Sequence, residues 1–235
     1  MIKGVIDAGH YGKYNKGCLP GYWESDFNFK FAGLLKQELE STGEFEITLA
    51  RPTTKDVPLR TRGKLAKDKD FFLSIHTDSA GSSTGSLVID SVDLETEVFA
   101  KTLTDACGKG FGLPSKPVRE RRIKSANEDY YAVIDSAQDI GCPLVHLLEC
   151  GNHSNKIDCA RLMDEELQIK AAKLVAKAYM DYFGAKPKAK SEVSPWAVKG
   201  QAYCINKGIS DGTKPKDLVT REELWTMIER MANNE

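Results

Sequence analysis

Two runs of this sequence, Phe71-Phe72-Leu73-Ser74-Ile75 and Leu144-Val145-His146-Leu147-Leu148, are apolar at nearly every position instead of every second one. A strand of that kind must be covered on both faces, and the usual solution is a parallel sheet with helices on either side. Val5-Ile6 adds a short run near the start, and Phe45–Leu49 and Gly85–Ile89 also read as strands. Between them, Phe27, Phe31, Leu34, Leu35 and Leu39, then Val98, Phe99, Leu103 and Ala106, recur at helical spacing. The fold class that follows is α/β, a mostly parallel twisted sheet flanked by helices.

A shorter helix is expected between Pro58 and Asp68, and a strand or extended segment over Tyr130–Ile134. A final helical region, capped by Asn155, runs to Phe183 and is stopped by Gly184. Residues 1–184 therefore read as one domain. Residues 185–193 lack an apolar pattern and read as a linker. Residues 194–235 resume as a small helical module, with Trp196 in its core and a helix opened by the capping-box pair Thr220 and Glu223. So short a piece buries little core alone and is expected to lean on a neighbour or on another copy of itself.

The formal net charge of -1 gives no global signature for nucleic acid or acidic membranes. No apolar run is long enough to span a bilayer, and no signal peptide is visible. The six cysteines are scattered, so reduced thiols are expected. One local departure is the basic stretch from Leu113 to Asp129, with Lys116, Arg119, Arg121, Arg122 and Lys124. It reads as a solvated loop or, more sharply, as a cationic loop beside a substrate groove.

Three strand-type runs end in His10, His76 and Glu149, and the helix expected to start on the same rim of the sheet begins at Glu24. Two imidazoles and a carboxylate are a ligand set that catalytic zinc uses while leaving a position open, and the remaining carboxylate can serve as general base and acid. Burial at the end of an apolar strand raises a carboxyl pKa, which favours Glu149 for proton transfer, whereas a helix start favours Glu24 as an anion. On these grounds alone the two roles remain exchangeable. Asp7 is a candidate for orienting a ligand histidine through a hydrogen bond.

In order, Asp7-Ala8-Gly9-His10, Glu24-Ser25-Asp26-Phe27-Asn28, Ser74-Ile75-His76-Thr77-Asp78 and Leu147-Leu148-Glu149-Cys150-Gly151-Asn152-His153-Ser154-Asn155 resemble the motifs of zinc-dependent N-acetylmuramoyl-L-alanine amidases of the Amidase_3 type. The resemblance covers Met1 to about Gly184. It implies one zinc ion (Zn2+) held by His10, Glu24 and His76, with Glu149 as the catalytic carboxylate. The implied substrate is the peptidoglycan amide joining the muramoyl lactyl group to the first alanine of the stem. Tyr11 stands where the family usually has glycine. His153 replaces an apolar residue, and with Cys142, Cys150 and Cys159 it raises the question of a second metal. His146 is expected to pack inside the sheet.

Ser194-Pro195-Trp196-Ala197, Gly208-Ile209-Ser210-Asp211-Gly212 and Thr220-Arg221-Glu222-Glu223 resemble a single S-layer homology repeat. That implies attachment to a secondary cell-wall polymer, with Arg221 as a candidate contact and a homo-oligomer as one way to gather copies. The leading expectation is a phage-type endolysin, or a related autolysin, made in a bacterial host cytoplasm and acting on the wall after release, with extracellular action if a signal has been removed. The alternatives are a zinc peptidase or deacylase on another amide, and a non-catalytic wall-binding protein.

Overall fold

The computed structural model describes residues 1–124, 128–186, 193–212 and 219–233. The chain divides into two compact units, Met1–Pro187 and Lys188–Glu235. Among the described residues no helix is long and apolar enough to cross a membrane.

In the first unit the strands are β1 (Ile2–Ala8), β2 (Phe45–Leu49), β3 (Phe71–Asp78), β4 (Leu87–Asp90), β5 (Arg119–Glu120) and β6 (Val145–Asn152). They form one sheet in the order β2-β1-β3-β6-β4-β5, parallel throughout except between β4 and β6. The helices are α1 (Glu24–Glu40), α2 (Leu59–Lys64), α3 (Glu97–Phe111), α4 (Ala132–Gln138), α5 (Lys156–Met163) and α6 (Glu165–Phe183).

Two apolar layers sandwich the sheet, as the continuous apolar strands require. On one face Ile6, Phe71, Leu73, Ile75 and Leu148 pack with Phe31 and Leu35 of α1, Phe99 and Leu103 of α3 and Val175 and Tyr179 of α6. On the other, Val5, Phe72, Val145 and Leu147 pack with Val133, Ile134 and Ala137 of α4. Side chains alternate along a strand, so His76 shares the second face with Phe72, and Glu149 shares it with Val145 and Leu147. Among the described residues the helices over that face are α2 and α4, each under two turns long. They pack closely through Gly63, where a Cβ would fall 2.5 Å from the Val133 carbonyl oxygen. Their shortness leaves the far ends of β3 and β6 open.

Several expectations change. Tyr130–Ile134 is not a strand: α4 begins at Ala132, because Val133, Ile134 and Ala137 fall on one helical face that packing against the sheet buries. The final helical region is two helices. Asn155 caps α5 through Ile157 and Asp158, and Asp164 then caps α6 through Glu166 and Leu167. Strands β3 and β6 run past His76 and Glu149 and stay paired at Asp78 and Asn152 across a register shift. The basic stretch contributes β5 and a hairpin in which Tyr130 N donates to Arg121 O at 2.9 Å; residues 125–127 of it lie outside the described residues.

Of the expected linker, residues 187–192 lie outside the described residues, while Ala185 is buried and donates its N–H to Met180 O. The second unit contains a 3-10 turn (Pro195–Ala197), α7 (Val198–Asn206) and α8 (Arg221–Ala232). Thr220 and Glu223 form the capping box. Trp196 is not a core residue: it is 87% exposed, and Ile209 is the one buried hydrophobic side chain among the described residues of this unit.

Candidate active site

After β1 the chain leaves the sheet through Gly9 and His10, and His10 has a φ of 60°, a left-handed value seldom taken by histidine. Hydrogen bonds fix this turn. Arg51 Nε and Arg62 Nη1 donate to the Ala8 carbonyl at 3.2 and 3.3 Å, Gly9 N donates to Ile75 O at 2.9 Å, and Asn28 Nδ2 donates to Gly9 O at 3.1 Å. Tyr14 stacks on the His10 ring with centroids 4.4 Å apart. Gly9 itself touches the neighbouring ligand candidate, since a Cβ there would lie 2.3 Å from the His76 ring.

Glu24 opens α1 and is almost fully buried. Its Oε1 accepts from Thr77 N at 3.1 Å, and its Oε2 accepts from Asn15 Nδ2 at 2.5 Å. His10 Nε2 and His76 Nδ1 lie 3.3 and 3.1 Å from that same Oε1. The three donor atoms fall within 4.8 Å of one another, a group that could hold a metal ion. The two shorter separations match the edges of a tetrahedron with zinc–ligand bonds near 2.1 Å, roughly 3.4 Å. The donor set therefore fits zinc.

In the metal-free protein these groups are electrostatically coupled. Burial works to raise the Glu24 pKa, but hydrogen bonds and charge from His10 and His76 overcome it and hold the carboxyl well below its usual range. Burial works to lower His76, and the Glu24 carboxylate raises it instead.

Glu149 is the register partner of His76 on the adjacent strand. Its Oε2 is buried without a hydrogen-bond partner. Burial pushes this carboxyl up to about 8, with His76 opposing the shift and Glu24 and Asp78 adding to it. One carboxylate is thus kept anionic and the other poised near neutrality, within a groove of about 750 Å³ lined by His10, Glu24, His76 and Glu149. Tyr11, 47% exposed, and Tyr131 of the α4 start also line it.

Residues 5–180 match the family model Amidase_3, N-acetylmuramoyl-L-alanine amidase. The chain belongs to this family. Membership makes it a peptidoglycan-degrading amidase by class. This amidase is 28% identical over 181 residues to the uncharacterized protein YqiI of Bacillus subtilis strain 168, an alignment covering 76% of the chain and 83% of YqiI. Its fold is similar to the catalytic domain of CwlV, the N-acetylmuramoyl-L-alanine amidase of Bacillus (Paenibacillus) polymyxa var. colistinus, at 26% identity and a TM-score of 0.69, covering 79% of this chain and all of that one. The N-acetylmuramoyl-L-alanine amidase of Clostridium difficile 630 shares the fold at 19% identity and a TM-score of 0.68, over 79% of this chain and 98% of that one.

Around the amidase site the remaining residues of interest sort themselves by contact. Asp7 does not hydrogen-bond either histidine: it accepts from Ser74 Oγ at 2.7 Å and pairs with Arg62 at 3.4 Å, because Arg62 fills the space beside it. His153 bonds Thr77 Oγ1 at 2.9 Å, and Thr77 in turn bonds Tyr22 Oη at 3.0 Å. Among the described residues His153, Cys142, Cys150 and Cys159 form no cluster able to hold a metal, and all six thiols are free. His146 is fully buried, 3.3 Å from Asp90. The sequence left Asn15, Asn28, Thr77, Arg51 and Arg62 without roles. Asn28 alone carried a local signal, one helical turn after Glu24.

Proposed function

We propose that the first unit is a zinc-dependent N-acetylmuramoyl-L-alanine amidase in which His10, Glu24 and His76 hold the metal and Glu149 moves the proton. The observation that carries this reading is the convergence of both imidazoles on Glu24 Oε1, with Glu149 beside His76 and its free Oε2 turned out of solvent. Zinc, when bound, supplies Lewis-acid polarisation of the scissile carbonyl and acidification of water. Glu149 takes a proton from the attacking water and delivers it to the leaving alanine nitrogen. Thr77 N, Asn15 and Asn28 hold Glu24 in one orientation, and Tyr14 and the arginine-braced Ala8 carbonyl fix His10.

The proposed setting is lytic, as for an endolysin released from its host's cytoplasm onto the wall. The second unit is proposed to serve attachment to a wall polymer, with self-association gathering copies. Its exposed Trp196, Trp225 and Ile228 supply apolar contact area, and Arg221 at the start of α8 supplies charge.

The test is incubation of zinc-loaded protein with purified walls and mass spectrometry of the soluble products. Stem peptides with a new free L-alanine amino terminus are expected. Binding of zinc and wall without such termini would overturn the reading in favour of a binding protein, and cleavage at another amide would favour a peptidase.

A further inference from the structure

Among the described residues, the basic stretch delivers one cation to the groove that no acidic side chain pairs with. Lys116 pairs with Asp78, Arg62 with Asp7 and Asp56, and Arg122 with Glu120. Arg121 has no ion pair among the described residues, yet it lines the same groove as Glu149 and His76. Its position is built. The hairpin bond from Tyr130 N to Arg121 O places the two residues opposite one another, the guanidinium lies 3.7 Å from the Tyr130 ring centroid, and Nη1 donates to Tyr131 Oη at 3.2 Å. The planar fork thereby keeps donors free on its remaining nitrogens, the geometry that suits a carboxylate.

The substrate carries such a group close to the scissile bond. In the stem, L-alanine is followed by a γ-linked D-glutamate whose α-carboxyl is either free or amidated. We infer that Arg121 binds that α-carboxylate and makes the enzyme selective for stems in which it is not amidated. This rests on the amidase reading above and assigns Arg121 to substrate specificity, outside the metal group and the proton transfer.

The test compares zinc-loaded wild type, Arg121→Gln and Arg121→Lys on two muramoyl tetrapeptides that differ only in glutamate against isoglutamine at the second position. For wild type, kcat/KM is expected to favour the glutamate stem by roughly five- to tenfold, a modest ratio because the guanidinium is exposed to solvent, and to show the difference mainly in KM. Arg121→Gln should bring the ratio towards one, and Arg121→Lys should keep part of it. Raising salt should shrink the wild-type ratio. A wild-type ratio of one, or a ratio unchanged in a folded Arg121→Gln, overturns the inference and leaves the amidase reading standing. Cleavage of neither stem by wild type sinks both.

Discussion

His76 and Glu149 are neighbours in register on the parallel strands β3 and β6, so an imidazole of the candidate metal group and the raised-pKa carboxyl leave the sheet side by side on one face. Register in a buried parallel sheet is tightly specified, since a slip of one residue would turn the Glu149 side chain to the opposite apolar layer. The spacing of His76 and Glu149, the proposed metal ligand and proposed proton carrier, is therefore a property of the core and not of a loop.

That placement has a measurable cost in the metal-free protein. The Glu149 carboxyl rises from an ordinary 4.5 to about 8, so the folded state binds its proton more tightly than the unfolded chain does. Its contribution to stability is complete below pH 4.5 and is lost as pH climbs through 8. Metal-free Glu149→Gln is therefore expected to gain on wild type in Tm between pH 5 and 9. Thermal melts at a series of pH values check this, and a difference that does not change with pH would contradict it.

Gly9 is expected to be intolerant of a side chain. A methyl group 2.3 Å from the His76 ring must displace it from Glu24. Gly9→Ala should weaken zinc binding by about 10- to 100-fold, the range typical of residues that orient ligands. Competition with a chelator of known affinity measures it, and wild-type affinity in a folded Gly9→Ala would refute the contact.

Arg62 is expected to matter more for stability than for charge balance. Its side chain is 2% exposed beside a fully buried Asp7, and it braces the Ala8 carbonyl at the turn into His10. Arg62→Met leaves that carboxylate buried without its cation, a loss of about 3–5 kcal/mol. Denaturant unfolding measures the loss, and Arg62→Met combined with Asp7→Asn should cost less than the sum of the two single changes.

The strand runs, α1 and the metal-binding candidates were legible because each rests on local pattern. Continuous apolar stretches imply a doubly covered sheet, and right-handed crossovers bring the ends of β1 and β3 and the start of α1 to one rim. What escaped was decided by contacts distant in sequence. Tyr130–Ile134 has strand-like composition, yet a helix starts inside it at Ala132, whose apolar face Val133, Ile134 and Ala137 packs on the sheet. Asp7 looked like a partner for histidine until Arg62, 55 residues on, occupied its carboxylate. Trp196 looked like core because the large aromatic is usually buried, but the second unit is too small to cover it.

The central claim separates two carboxylates: Glu24 holds the metal and Glu149 moves the proton. The most direct test measures zinc stoichiometry and the rate of release of L-alanine amino termini from purified walls, side by side, for wild type, Glu24→Gln and Glu149→Gln. The account predicts that Glu149→Gln keeps one zinc per chain while its rate falls by about 10²- to 10⁴-fold, and that Glu24→Gln loses both. A Glu149→Gln protein that loses its zinc, or one that binds it and cleaves at the wild-type rate, would contradict it.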